Sequence, residues 1–189
     1  RDWTLAQKHF ETALRINPDR MDAWYGLAEV YEKLGDYEYA IKTLKNALQM
    51  TATAGADVHY TLAYYYRSMD STRYALNEME NGLLMDAENV SARRYLAQMY
   101  VQAGSPWMAI FTLEDGLRHN KGVADLNLDL GQIYFTQKRY DEAFECYMRA
   151  WLMGNSQGRI GAENVGHVFS NEGNQEKAER LYKRIREKR

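Results

Sequence analysis

Apolar residues recur along this chain at spacings of three and four, the period of a helix with one buried face. Leu27, Ala28 and Tyr31 follow Trp24 in this way, and Ala40, Leu44 and Ala47 form a second series. Gly35, Gly104 and Gly173 interrupt the pattern where a left-handed residue would close a helix. Strand-like alternation between Gly/Asn turns is absent. The chain therefore reads as all-α, with helices expected over 3–16, 22–34, 37–50, 57–69, 72–85, 91–103, 106–119, 125–137, 140–153, 160–172 and 175–187.

The pattern also repeats on a longer scale. Ala6, Ala40, Ala75, Ala109, Ala143 and Ala178 are 34 or 35 residues apart, and Tyr31, Tyr66, Tyr100, Tyr134 and Phe169 keep the same step. Each aromatic follows a pair: Leu27-Ala28, Leu62-Ala63, Leu96-Ala97, Leu130-Gly131 or Val165-Gly166. A helix pair of this size cannot bury its apolar faces alone, so each unit needs neighbours to stack on. Small residues at the alanine positions let the helices approach closely. Joints near 21, 56, 90, 124 and 159 give one array with a half-repeat over 1–20 and repeats over 21–55, 56–89, 90–123, 124–158 and 159–189. Single-residue insertions near Gly55 and Gly158 are expected in inter-repeat turns.

Trp24-x-x-Leu27-Ala28-x-x-Tyr31, followed by Ala40-x-x-x-Leu44-x-x-Ala47 with Pro18 closing the opening half-repeat, resembles the tetratricopeptide repeat. Later units depart from it, with His59, Arg93, Asn127 and Ala162 at the Trp position. The resemblance implies a right-handed superhelical α-α solenoid of helix-turn-helix repeats. It also implies a concave side lined by the first helix of each pair, where a protein partner is gripped.

A helix advances about 100° per residue, so positions 4, 7, 8 and 11 of each first helix share the packed side and positions 2, 5, 9, 12 and 13 face outward. The outward set supplies candidate partner-binding residues: Tyr25, Glu29, Tyr60, Tyr64, Arg67, Arg94, Gln98, Leu128, Gln132 and Phe135. Tyrosine offers a large area with few rotors and arginine a planar donor fork, so the tyrosines are expected to serve as apolar platforms. Arg67 and Arg94 are expected to receive a carboxylate from a peptide or helix of the partner. The clamp of family members that hold chaperone carboxyl termini is not matched. Starting from Arg94 and Gln98, Asp129 stands where that clamp has Asn.

Charge narrows the function. The 189 residues carry 24 Lys and Arg against 26 Asp and Glu, a net charge of −2, which argues against a tight nucleic-acid binder. No apolar run approaches the roughly 18 to 20 residues of a membrane-inserted span. His9, His59, His119 and His167 lack i,i+4 pairing, and no phosphate loop or nucleophile motif is present, so neither catalysis, cofactor nor metal is expected. The single cysteine, Cys146, neither implies nor excludes an oxidising compartment, so the location stays open, with the cytoplasm slightly favoured over the bacterial envelope or periplasm.

The ends carry an alternative. The chain starts at Arg1 with a half-repeat, and Leu181, Tyr182 and Ile185 end it without an obvious polar capping helix. These features lead to the expectation of an excerpt with flanking domains, or of a homo-oligomerising structural segment that joins through its ends.

Overall fold

The computed structural model describes residues 2–187. These residues form eleven helices and no strand: α1 (Trp3–Ile16), α2 (Met21–Lys33), α3 (Tyr37–Met50), α4 (Ala56–Ser68), α5 (Thr72–Met85), α6 (Val90–Gln102), α7 (Pro106–His119), α8 (Ala124–Thr136), α9 (Tyr140–Leu152), α10 (Ser156–Asn171) and α11 (Gln175–Glu187). They gather into two compact units, Arg1–Ala87 with α1 to α5 and Glu88–Arg189 with α6 to α11.

In the first unit, Leu14, Ala23, Trp24, Leu27 and Ala47 join α1 to α3, and Ala28, Ile41, Leu44, Val58, Leu62 and Tyr65 continue the core into α4. Trp24 also donates its indole N–H to the Pro18 carbonyl at 2.8 Å, which ties the Asn17-Pro18 turn to the helix after it. In the second unit, Leu113, Leu126, Phe144, Val165 and Leu181 belong to the buried set. Ala40, Ala75, Ala109, Ala143 and Ala178 have no exposed surface, as close helix approach at these positions requires.

One turn is built the same way in all five repeats. Gly35, Asp70, Gly104, Lys138 and Gly173 have φ of 78, 54, 73, 59 and 81°. The next residue then donates its N–H back to the helix-end aromatic: Asp36 to Tyr31, Ser71 to Tyr66, Ser105 to Tyr100, Arg139 to Tyr134 and Asn174 to Phe169, each at 2.9 Å. This six-to-one bond satisfies a carbonyl that the helix end leaves without an internal donor. In four of the five repeats the ring of the same aromatic is covered by the following helix or turn. Tyr39 lies 5.4 Å from Tyr31 and Tyr74 lies 5.2 Å from Tyr66, while Arg139 and Lys177 sit over Tyr134 and Phe169 at 4.5 and 4.1 Å.

Two expectations are corrected. Gly55 precedes α4 as expected, but Gly158 lies inside α10, which begins at Ser156 and not near residue 160. Asn155 caps that earlier start by accepting from Gln157 N–H at 2.9 Å, so the insertion lengthens the helix instead of the turn. At the other end, Leu181 and Ile185 are buried, and the Tyr182 ring lies on Gly166. The outer side of α11 is polar, with Glu179, Arg180, Lys183 and Arg186 exposed. Lys177 pairs with Asp141 at 2.8 Å, and Arg184 makes two bonds to Glu145 at 2.5 and 3.0 Å, so part of the basic C-terminal run fastens α11 to α9.

Candidate partner-binding site

The candidate residues of the first unit lie on α2 and α4. Tyr64 is half exposed and donates its hydroxyl to Glu32 at 3.2 Å, while Tyr65, beneath the surface, donates to the other oxygen of that carboxylate at 3.5 Å. The Glu32 charge raises the Tyr64 pKa, and burial followed by Glu32 raises that of Tyr65. Tyr25 is partly buried against the core of Val58 and Leu62, and burial, then Asp57, raises its pKa. Glu29 and Arg67 are exposed.

Tyr60 departs from the helical-wheel expectation. Its ring lies against Gly82 of α5, in the space a β-carbon there would occupy. The missing side chain leaves a slot on α5, and filling it buries ring area that would otherwise face water. Tyr60 is a packing residue.

In the second unit α6 and α8 flank a groove of about 570 Å³. Ser91, Arg94, Tyr95, Gln98 and Val101 line it from α6, Asp129, Gln132, Ile133 and Thr136 from α8, and Leu113 of α7 closes it beneath. Helical geometry puts Arg94, Gln98 and Val101 on one stripe of α6. Gln98 and Gln132, at equivalent repeat positions, both reach the groove, and Tyr147 donates to the Gln132 side-chain oxygen at 3.3 Å. Leu128 and Phe135 are not among the lining residues. Leu128 is half buried, and Phe135 stands edge-on to Tyr140 with ring centres 5.4 Å apart.

Arg94 is already engaged. Nε and Nη2 donate to the two oxygens of Asp129 at 2.5 and 3.1 Å, and Nη1 donates to Asp125 at 3.1 Å. Asn155 in turn donates to the second oxygen of Asp125 at 2.8 Å. The bond to Asp129 is the main cause that raises the Arg94 pKa. The expectation that Arg94 waits for a partner's carboxylate is therefore corrected, because two carboxylates of its own chain hold it. Asp129, at position 6 of its repeat, belonged to neither side of the helical wheel. Its separation of 35 residues from Arg94, one repeat plus one, was the signal that could have found it.

A smaller hollow of about 320 Å³ lies between α7 and α9, lined by Glu114, Glu142, Glu145 and Cys146 among others. Burial pushes the Cys146 thiol up to about 11, which keeps it protonated and a poor nucleophile near neutrality. His59 pairs with Glu78 at 2.7 Å and His167 with the Tyr182 hydroxyl at 2.9 Å. Among the described residues no three His, Cys, Asp or Glu side chains are grouped to hold a metal ion, and no helix is long and apolar enough to cross a membrane.

Family models of the tetratricopeptide repeat match residues 1–63 and 124–150. No curated protein matches the chain. Among solved structures, the C-terminal part of a TPR repeat-containing protein from Cytophaga hutchinsonii superposes with a TM-score of 0.71 at 15% identity, over 97% of this chain and 73% of that one. YrrB, described as a TPR protein with an unusual peptide-binding site, gives 0.62 at 19% identity over 95% and 92%. MamA gives 0.62 at 20% identity over 84% and 92%. These likenesses show a shared solenoid fold. Proteins built of such repeats are in general non-enzymatic scaffolds for protein partners. The two matched stretches and the unbroken 34- to 35-residue period between them identify the chain as a tetratricopeptide repeat protein.

Proposed function

We propose that this protein is an interaction scaffold that holds a segment of a partner protein in the groove between α6 and α8. The observation that carries the reading is the groove itself: about 570 Å³, open on the outward side of two equivalent first helices. It combines exposed Gln98 and Thr136 with an apolar strip of exposed Val101 and the edge of Ile133, over a floor made by buried Leu113. Such a mixture suits an extended or helical segment, with side-chain amides available to polar groups and the strip to one apolar side chain. The side of α2 and α4 that carries Tyr25, Glu29, Tyr64 and Arg67 is proposed as a second contact strip. The likeness to YrrB, whose description names a peptide-binding site, supports the reading.

The test is selection of a random nine-residue phage-displayed peptide library on the intact protein, followed by fluorescence anisotropy of enriched peptides on the parent and a Val101→Glu variant. Val101 is 43% exposed, so the added carboxylate stands in the groove without entering the core. The variant is expected to keep its helicity and to bind at least about tenfold more weakly, the scale of a lost contact at an interface centre. Equal affinity for the two proteins would overturn the assignment.

A further inference from the structure

We infer that the groove between α6 and α8 selects a segment bearing a lysine or arginine and excludes one rich in carboxylates, an inference that rests on the proposed binding role of that groove. Arg94 is the one base among the described residues lining it. Its guanidinium faces two carboxylates: Asp129, which takes Nε and Nη2, and Asp125, which takes Nη1. The cluster of one cation and two anions carries a net charge of −1.

An incoming carboxylate has little to gain there. It would have to displace Asp129, a two-bond partner held on α8 of the same chain and therefore present at high effective concentration. If it did not, it would sit beside a net negative cluster in a partly desolvated groove, where like charges repel more strongly than in water. An incoming ammonium or guanidinium meets the opposite situation. Asp125 is 46% and Asp129 29% exposed, and each carboxylate oxygen has more than one lone pair to offer. A cation placed there brings the cluster to neutrality without breaking any bond already made.

The groove also sets a spacing. From Arg94 to Val101 along α6 is two helical turns, about 10 Å, which an extended peptide spans in about three residues. The segment selected therefore carries a basic residue with an apolar one about three or four positions away, in either direction along the segment, the first against Asp125 and Asp129 and the second against Val101 and Ile133.

The peptide selection tests this through charge. Sequences enriched on the parent protein are expected to contain Lys or Arg with an apolar residue three or four positions away. Replacing that basic residue with Glu in a synthetic copy is expected to weaken binding at least about tenfold. On Asp125→Asn/Asp129→Asn, or on the milder single variant Asp125→Asn if the double variant melts early, the gap between the Lys and Glu peptides is expected to close. Enrichment of Asp- or Glu-rich sequences on the parent would overturn the inference and leave the groove reading standing. A Lys-to-Glu gap that stays unchanged when the aspartates are neutralised would do the same. If no sequence is enriched, or if enriched peptides bind the Val101→Glu variant as well as the parent, the groove reading falls and the charge rule falls with it.

Discussion

Gly158 and Tyr147 bring α10 and α9 into backbone contact: a β-carbon on Gly158 would lie 2.5 Å from the Tyr147 carbonyl oxygen and 2.6 Å from the backbone nitrogen of Trp151. Neither atom can swing aside as a side chain can. The helices lie close at this point because residue 158 has no side chain, and the Tyr147 ring rests on Gly161 of the same helix as Gly158 and on Gly131 of α8.

Gly158→Ala is expected to destabilise the protein by about 1–3 kcal/mol, the usual cost of forcing atoms into a packed contact, despite the better helix propensity of alanine. Gly122→Ala, where a β-carbon meets nothing within 4 Å, is the control and is expected to change stability by no more than about 0.5 kcal/mol. Urea denaturation of the two variants checks the difference. Equal midpoints would mean that α9 and α10 can separate at no cost.

Lys138 holds φ at 59° in the turn where Gly35, Gly104 and Gly173 take the same conformation. A β-carbon in that region costs about 1–2 kcal/mol, and glycine returns part of the gain through the greater freedom of the unfolded chain. Lys138→Gly is therefore expected to raise stability by up to about 1 kcal/mol and to raise Tm, even though Lys138 is exposed. Gly35→Ala is expected to lower Tm by a similar mechanism in reverse. Thermal melts followed by circular dichroism read both.

The bond from Arg184 holds the Glu145 carboxyl below its ordinary range. A carboxylate lowered in the folded state binds fewer protons there than in the unfolded chain. Its stabilisation is therefore complete above the unfolded value and is lost as pH falls through the folded one. Both side chains are about half exposed, so the contribution is at most about 1 kcal/mol. Amide exchange in α11 is expected to lose protection faster in the parent than in Arg184→Gln as pH falls below about 4, since the variant has no pair left to titrate. Parallel pH profiles for the two proteins would remove Arg184–Glu145 as an anchor of α11.

Much of this protein can be read from residue order because its physics is local and repeated. Ten of the eleven helices start within a residue of where periodicity and glycines place them, since an amphipathic stripe and a left-handed stop are properties of a short stretch of chain. The exception, α10, starts at Ser156 and not at 160, where Gly158, which reads in the sequence as a turn residue, would put it. In a sequence, a glycine that permits a turn looks the same as a glycine that permits close packing, and only the neighbouring helix separates the two. Asp70 and Lys138 are the converse, left-handed residues that carry no glycine to announce them.

The site divides along the same line. Helical geometry was sufficient to bring Arg94, Gln98 and Gln132 to one outward face, and they line the groove. It could not show that Tyr60 would turn to the slot above Gly82, or that Asp125 and Asp129 would close on Arg94. Those outcomes depend on which groups meet across two helices. Sequence by itself determined the helices, their period and the face each presents, because these follow from hydrogen bonding and burial along one segment. Tertiary structure alone decided the charge of the groove, because the energy of a guanidinium depends on the carboxylates that reach it through space, and two of them come from the next repeat.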